Sequence, residues 1–128
     1  MLELFFAHRG QMLAIAQEFG LAPQQAFALQ RLQPDEPMKL SDLANALHCD
    51  NSSVTGIADR LERAGLAERQ AHPTDRRVRT LALTERGKMI RRHYKDRIGT
   101  APAAVQNLSD DDAAALVEIL SRAAGDPR

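Results

Sequence analysis

The 128-residue chain has little of three things: cysteine, unbroken apolar sequence and net charge. A single cysteine, Cys49, excludes an intrachain disulfide framework and fits a reducing compartment, so a cytoplasmic location is expected. No apolar run approaches the roughly 20 residues of a membrane helix, so neither a spanning segment nor a membrane partner is expected. Residues 1–19 do not read as a secretion signal, because His8, Arg9, Gln11, Gln17 and Glu18 interrupt their apolar positions. Catalytic patterns are missing too. There is no nucleophile–base pair, no glycine-rich phosphate loop and no carboxylate pair better explained by chemistry than by helix capping. His8, His48, His72 and His93 lack metal-ligand spacing. An enzyme, a cofactor and a bound metal are therefore not expected.

The missing net charge is a matter of distribution. The totals, 17 basic and 17 acidic side chains, cancel. Residues 1–59 hold three basic and seven acidic groups, a balance of −4. Residues 60–97 hold twelve basic and five acidic groups, a balance of +7, and residues 98–128 return to −3. A concentrated basic centre between acidic ends is an electrostatic footprint for a polyanion, or else a solvated helix face. The elements that carry the charge decide between them.

Apolar spacing at Leu2, Phe5, Met12, Ile15, Ala16 and Phe19 predicts a first helix ended by Gly20. Pro23 suits the first turn of a second helix running to about Leu32, with Phe27, Leu29 and Leu32 toward a core. Residues 33–37, with two prolines and two acids, read as a loop. Ser41 is expected to cap a short helix that turns Leu40, Leu43, Ala44 and Leu47 inward. A helix over about residues 52–64 follows, capped by Asp50 or Asn51, with Val54, Ile57, Ala58 and Leu61 inward and Gly65 at its end. The pair is a helix-turn-helix. Residues 66–71 and 78–84 alternate as two strands around a basic turn at 72–77. Thr84 caps a basic helix with Met89, Ile90 and Ile98 as its apolar positions, and Ser109 caps a last helix expected to bury Ala113, Leu116, Val117 and Leu120. The expected fold is mostly α with a small β-hairpin wing, that is, a winged helix-turn-helix with further helices on either side.

Within that fold the second motif helix opens on Asn51, Ser52, Ser53, Thr55 and Gly56, short residues that let a helix approach base edges in a major groove. Arg60 and Arg63 further along are expected to reach phosphate or to pair with Asp59 or Glu62. Arg76, Arg77 and Arg79 belong to the wing, where Asp75 stands close enough to Arg77 to orient its guanidinium toward a minor groove. Cys49, beside His48, reads as a small packed residue or as a redox-active thiol.

Five ordered motifs carry a family resemblance: Leu40-Ser-Asp-Leu-Ala-Asn-Ala-Leu47, Ser53-Val-Thr55, Asp59-Arg-Leu-Glu-Arg-Ala-Gly-Leu66, Asp75-Arg-Arg77 and Leu83-Thr-Glu-Arg-Gly87. Together they resemble the MarR family of winged-helix regulators over about residues 21–92. The resemblance departs at Ala22, where such sequences often place a capping Thr, and at Gly56, where many carry a larger side chain. It implies a homodimer reading a pseudo-palindromic duplex operator. Residues 33–97 would form the winged helix-turn-helix DNA-binding domain, and residues 1–32 and 98–128 a helical dimerisation region. It further implies a transcriptional repressor released by a small phenolic or aromatic effector bound between the two regions, with Phe5, His8, Met12 and Phe27 as candidate pocket residues. The alternatives are a winged helix that binds other proteins, or a redox-sensing regulator acting through Cys49.

Overall fold

A computed structural model describes residues 2–99 and 103–125; the side chains of residues 2, 4, 5, 103 and 104 are outside that description. The elements in chain order are α1 (Leu2–Glu18), α2 (Pro23–Arg31), β1 (Met38–Lys39), α3 (Leu40–Ala46), α4 (Asn51–Arg63), β2 (Ala67–Ala71), β3 (Arg79–Leu83), α5 (Glu85–Ile98), α6 (Ala103–Gln106) and α7 (Asp110–Ala123). The mostly α winged-helix expectation holds.

The wing gains a strand. β1 pairs antiparallel with β3, Met38 opposite Leu81 and Lys39 opposite Thr80, giving a three-stranded sheet of order β1-β3-β2. Two residues are too short for their alternation to register in sequence, so only the β2–β3 hairpin is legible there. Because β1 runs directly into α3, that helix starts at Leu40 behind Lys39, and Ser41 falls inside its first turn instead of capping it. The other caps form as expected. Asp50 accepts from Ser53 N–H at 2.7 Å, Thr84 from Gly87 N–H at 3.0 Å, and Ser109 from Asp112 N–H at 3.1 Å. At α2 the Ala22 side chain has nothing to offer, but Gln25 Oε1 accepts from Ala22 N–H at 2.8 Å and supplies half of a capping box.

The core is continuous from α1 through α5. Val54, Ile57, Ala58 and Leu61, recurring every three or four residues, bury the inner stripe of α4 against Leu43 and Ala44 of α3, Leu29 and Leu32 of the α2 region, and Leu81 of β3. Tyr94 is the largest fully buried side chain, and its basic surroundings in α5 hide it from a hydropathy reading. Its hydroxyl donates to the Met12 carbonyl at 3.4 Å, and its ring meets Phe19 edge-on at 6.2 Å. This contact ties α5 to α1. Phe27 corrects the expectation for α2: it is 42% exposed, and Ala26, Ala28 and Leu29 supply the packed face.

Gly65 and Gly87 set how α4, β2 and α5 meet. Gly65 takes a left-handed φ of +72°, which turns the chain out of α4. Thr84 Oγ1 donates to the Gly65 carbonyl at 2.6 Å, and Thr84 N–H donates to the Leu66 carbonyl at 3.1 Å. At Gly87 a Cβ would overlap that Leu66 carbonyl oxygen, so the first turn of α5 sits against the start of β2 only without a side chain there.

The last helix departs most from expectation. No residue of α7 is buried, and Val117, Ile119 and Leu120 are each more than half exposed. Its apolar stripe has the right spacing, but no described residue buries it.

Candidate nucleic-acid interface

The helix-turn-helix is closed by a tight turn. His48 takes φ +53°, a conformation usually given to glycine or asparagine, and Cys49 N–H donates to the Ala44 carbonyl at 3.0 Å. Cys49 itself is half-buried against the core, an environment that suits a packed residue. Asp50 then caps α4. The Ser53 backbone N–H, and next the Ser53 side chain, hold its carboxyl below the ordinary aspartate value.

The first turns of α4 are polar and open to solvent. Asn51, Ser52, Ser53 and Thr55 are exposed, and Thr55 Oγ1 donates back to the Asn51 carbonyl at 2.8 Å. That bond leaves the threonine methyl and the hydroxyl lone pairs as its outward face. Gly56 is not forced by packing: a Cβ there would find nothing closer than Arg60 at 4.0 Å. Its absence keeps this face of the helix low.

Backbone hydrogen bonds build the wing. His72 N–H donates to the Val78 carbonyl at 3.3 Å, and Val78 N–H to the Asp75 carbonyl at 3.1 Å. His72 Nδ1 accepts from Thr74 N–H at 3.3 Å and Asp75 N–H at 3.2 Å, with Thr74 Oγ1 3.2 Å away. The expected partnership of Asp75 with the Arg77 guanidinium is replaced by another: Asp75 Oδ1 accepts from the Arg77 backbone N–H at 3.0 Å. A carboxylate two residues before an amide closes a local turn more readily than it follows a long side chain. Arg76, Arg77 and Arg79 are exposed and form no ion pair among the described residues.

The two halves meet in an open cleft of about 400 Å³, lined by Ser41 at the start of α3, Asn51 and Thr55 of α4, and Arg77 and Arg79 of the wing. Arg60 and Arg63 are exposed as well. The alternative reading of those two arginines, an ion pair with Asp59 or Glu62, is not seen among the described residues; both carboxylates pair with Arg69 of β2 instead, at 2.8 and 3.0 Å. Arg69 and His72 are the functional-region residues that sequence reading missed. A pair of acids three apart on α4, followed by an arginine on the adjoining strand, is a signal only once the hairpin is known to fold back onto the helix.

Of the candidate effector residues, Phe5 lies outside the described side chains, His8 and Met12 are half-buried on α1, and Phe27 is exposed on α2. Three buried polar atoms in that region lack a partner: His8 Nδ1, Gln30 Nε2 and Arg91 Nε. Arg91 Nη2 reaches the Gln30 carbonyl at 3.4 Å, which links α5 to α2 there. No helix among the described residues is long and apolar enough to cross a membrane, and no metal-binding group occurs among them.

A helix-turn-helix, a wing and a shared basic cleft define a winged-helix DNA-binding fold. Known proteins agree. The MarR family pattern matches residues 21–78. The HTH-type transcriptional repressor MdtR of Bacillus subtilis (strain 168) is 37% identical over 84 residues, which cover 66% of this chain and 54% of MdtR. The uncharacterized HTH-type transcriptional regulator YkoM of the same organism is 30% identical over 113 residues, covering 84% of this chain and 71% of YkoM. The chain therefore spans about half of one such relative and about seven-tenths of another. Among solved structures, YusO of Bacillus subtilis superposes with a TM-score of 0.78 at 28% identity, over 98% of this chain and 90% of YusO. The transcriptional repressor CouR bound to a 23-mer DNA duplex gives 0.71 at 26%, covering 90% and 82%. NadR in complex with 4-hydroxyphenylacetate gives 0.74 at 25%, covering 98% and 90%. The chain belongs to the MarR family of transcriptional regulators, a non-enzymatic class.

Proposed function

We propose that this MarR-family regulator is a homodimeric repressor that binds a pseudo-palindromic duplex operator and releases it when a small aromatic acid binds. One observation carries the DNA reading: Arg77 and Arg79 line the same cleft as Asn51 and Thr55, exposed and without a competing carboxylate. Asn51, Ser52, Ser53, Thr55 and Gly56 would meet base edges, Arg60 and Arg76 phosphate, and Arg77 and Arg79 the minor groove beside it. CouR, a similar structure, is a repressor bound to duplex DNA.

Residues 33–97 serve as the DNA-binding domain and residues 1–32 and 98–128 as the dimerisation region. The bare apolar face of α7 and the exposed Phe6 of α1, 59% accessible, support that assignment. The unpartnered His8, Gln30 and Arg91 atoms support an effector site: two are donors in want of an acceptor such as a carboxylate, and NadR, a similar structure, holds 4-hydroxyphenylacetate. A cytoplasmic location follows from this function.

Footprinting on DNA flanking the protein's own coding region tests the reading, followed by a titration of aromatic acids against the bound complex. Log affinity should fall with log salt at about −0.9 per phosphate neutralised. A winged helix used to bind other proteins would show no such slope.

A further inference from the structure

Arg69 stands on β2, outside the cleft, yet its contacts run along the recognition helix. Its Nη1 lies 2.8 Å from Asp59 Oδ1 and 3.0 Å from Glu62 Oε1. Its Nη2 donates to the Thr55 carbonyl at 3.2 Å, and its backbone N–H donates to the same Glu62 oxygen at 3.1 Å. Thr55, Asp59 and Glu62 are four and then three residues apart, one stripe of α4. A single side chain thus grips about two turns of the helix. The Arg69 side chain is 26% exposed, less than either carboxylate partner. Partial burial works against its charge, but the hydrogen bonds and charges of Asp59 and Glu62 outweigh that and raise the guanidinium above its ordinary value.

The pairing changes what α4 offers a polyanion. Asp59 and Arg63 are four apart, the spacing of a surface ion pair on a helix. With Asp59 held by Arg69, that pair does not form, and Arg60 and Arg63 stay exposed without a carboxylate. Unheld, Asp59 and Glu62 would put two negative charges beside the residues that approach phosphate, where like charges cost affinity.

Resting on the DNA-binding reading above, we infer that Arg69 is a positioning residue for DNA binding: it captures Asp59 and Glu62, offsets part of their repulsion at the phosphate-facing surface and leaves Arg60 and Arg63 free for the DNA backbone. It acts through the two carboxylates and does not itself touch DNA.

The test measures binding of the full chain to a mixed-sequence duplex of about 30 base pairs by fluorescence anisotropy across a salt series. Arg69→Gln should bind about tenfold more weakly than the wild type at low salt. Adding Asp59→Asn and Glu62→Gln to that variant should restore affinity to within about threefold, because the unbalanced charges are then gone. The Asp59→Asn, Glu62→Gln variant with Arg69 retained should bind about threefold more tightly than the wild type. A triple variant as weak as Arg69→Gln overturns the inference, since it makes Arg69 a direct phosphate contact or a plain brace of the fold. So does an Arg69→Gln variant that binds as the wild type does. If Arg69→Gln fails to fold, the variant retaining Arg69 decides alone, with tighter binding upholding the inference and equal or weaker binding overturning it. A wild-type protein without salt-dependent binding would instead remove the DNA reading itself, so the two failures are distinct.

Discussion

The Asp75 carboxylate accepts a hydrogen bond from the backbone N–H of Arg77 at 3.0 Å, and Arg77 lines the cleft shared with Asn51 and Thr55. Holding the amide fixes where the arginine departs from the wing and leaves the five guanidinium donors free for the proposed DNA contact. Arg77→Ala should weaken duplex binding by about 1–3 kcal/mol without loss of helical content. Asp75→Ala should weaken it less, because the cation remains and only its anchoring loosens. Anisotropy titrations read the affinities and circular dichroism the fold; an Asp75→Ala loss larger than that of Arg77→Ala would contradict this order.

Gly56 and Gly87, both helical, should answer substitution in opposite directions. At Gly87 an added Cβ overlaps the Leu66 carbonyl, so Gly87→Ala must push α5 away from β2 and is expected to cost about 1–3 kcal/mol, seen as a lowered Tm. At Gly56 the space is open, and Gly56→Ala should gain about 0.5–1 kcal/mol from reduced backbone freedom in the unfolded chain. The same alanine adds bulk to the proposed base-reading face, so a higher Tm should accompany altered duplex affinity.

Acid should loosen α4 through its cap. Ser53 holds the Asp50 pKa below its ordinary value in the folded chain. The cap therefore stabilises fully above the unfolded aspartate value, and that contribution is lost as pH falls through the lower folded value. Asp50→Asn keeps a capping oxygen but does not titrate. The acid limb of its stability curve, followed by thermal melts from neutral pH downward, should be flatter than that of the wild type.

These expectations mix what sequence shows with what only geometry shows, and the division has a physical basis. The stripe of Val54, Ile57, Ala58 and Leu61 and the caps at Asp50, Thr84 and Ser109 are local, set by residues within a few positions of one another, and all were legible. β1 was not, because two residues become a strand only by pairing with β3, some forty positions away. Arg69 reads as one more member of a basic stretch until the hairpin brings it onto Asp59 and Glu62. Tyr94 sits among Arg91, Arg92, Lys95 and Arg97, so its burial against α1 depends on tertiary packing that hydropathy does not report.

The α7 stripe was legible in its spacing but not in its partner. Ser109 and the three acids after it start the helix without any help from packing. Val117 and Leu120 stand three apart and are 53% and 55% exposed, so neither is a core residue among the described residues. Leu120→Glu should therefore leave helical content and the winged-helix core intact. If a second copy covers this face, the same change buries a carboxylate against apolar surface and should shift the protein from dimer to monomer. Duplex affinity should fall with it, since one winged helix then has to hold a half-site alone. Light scattering coupled to gel filtration reads the mass, and a Leu120→Glu protein that remains dimeric at micromolar concentration would take α7 out of the proposed dimer interface.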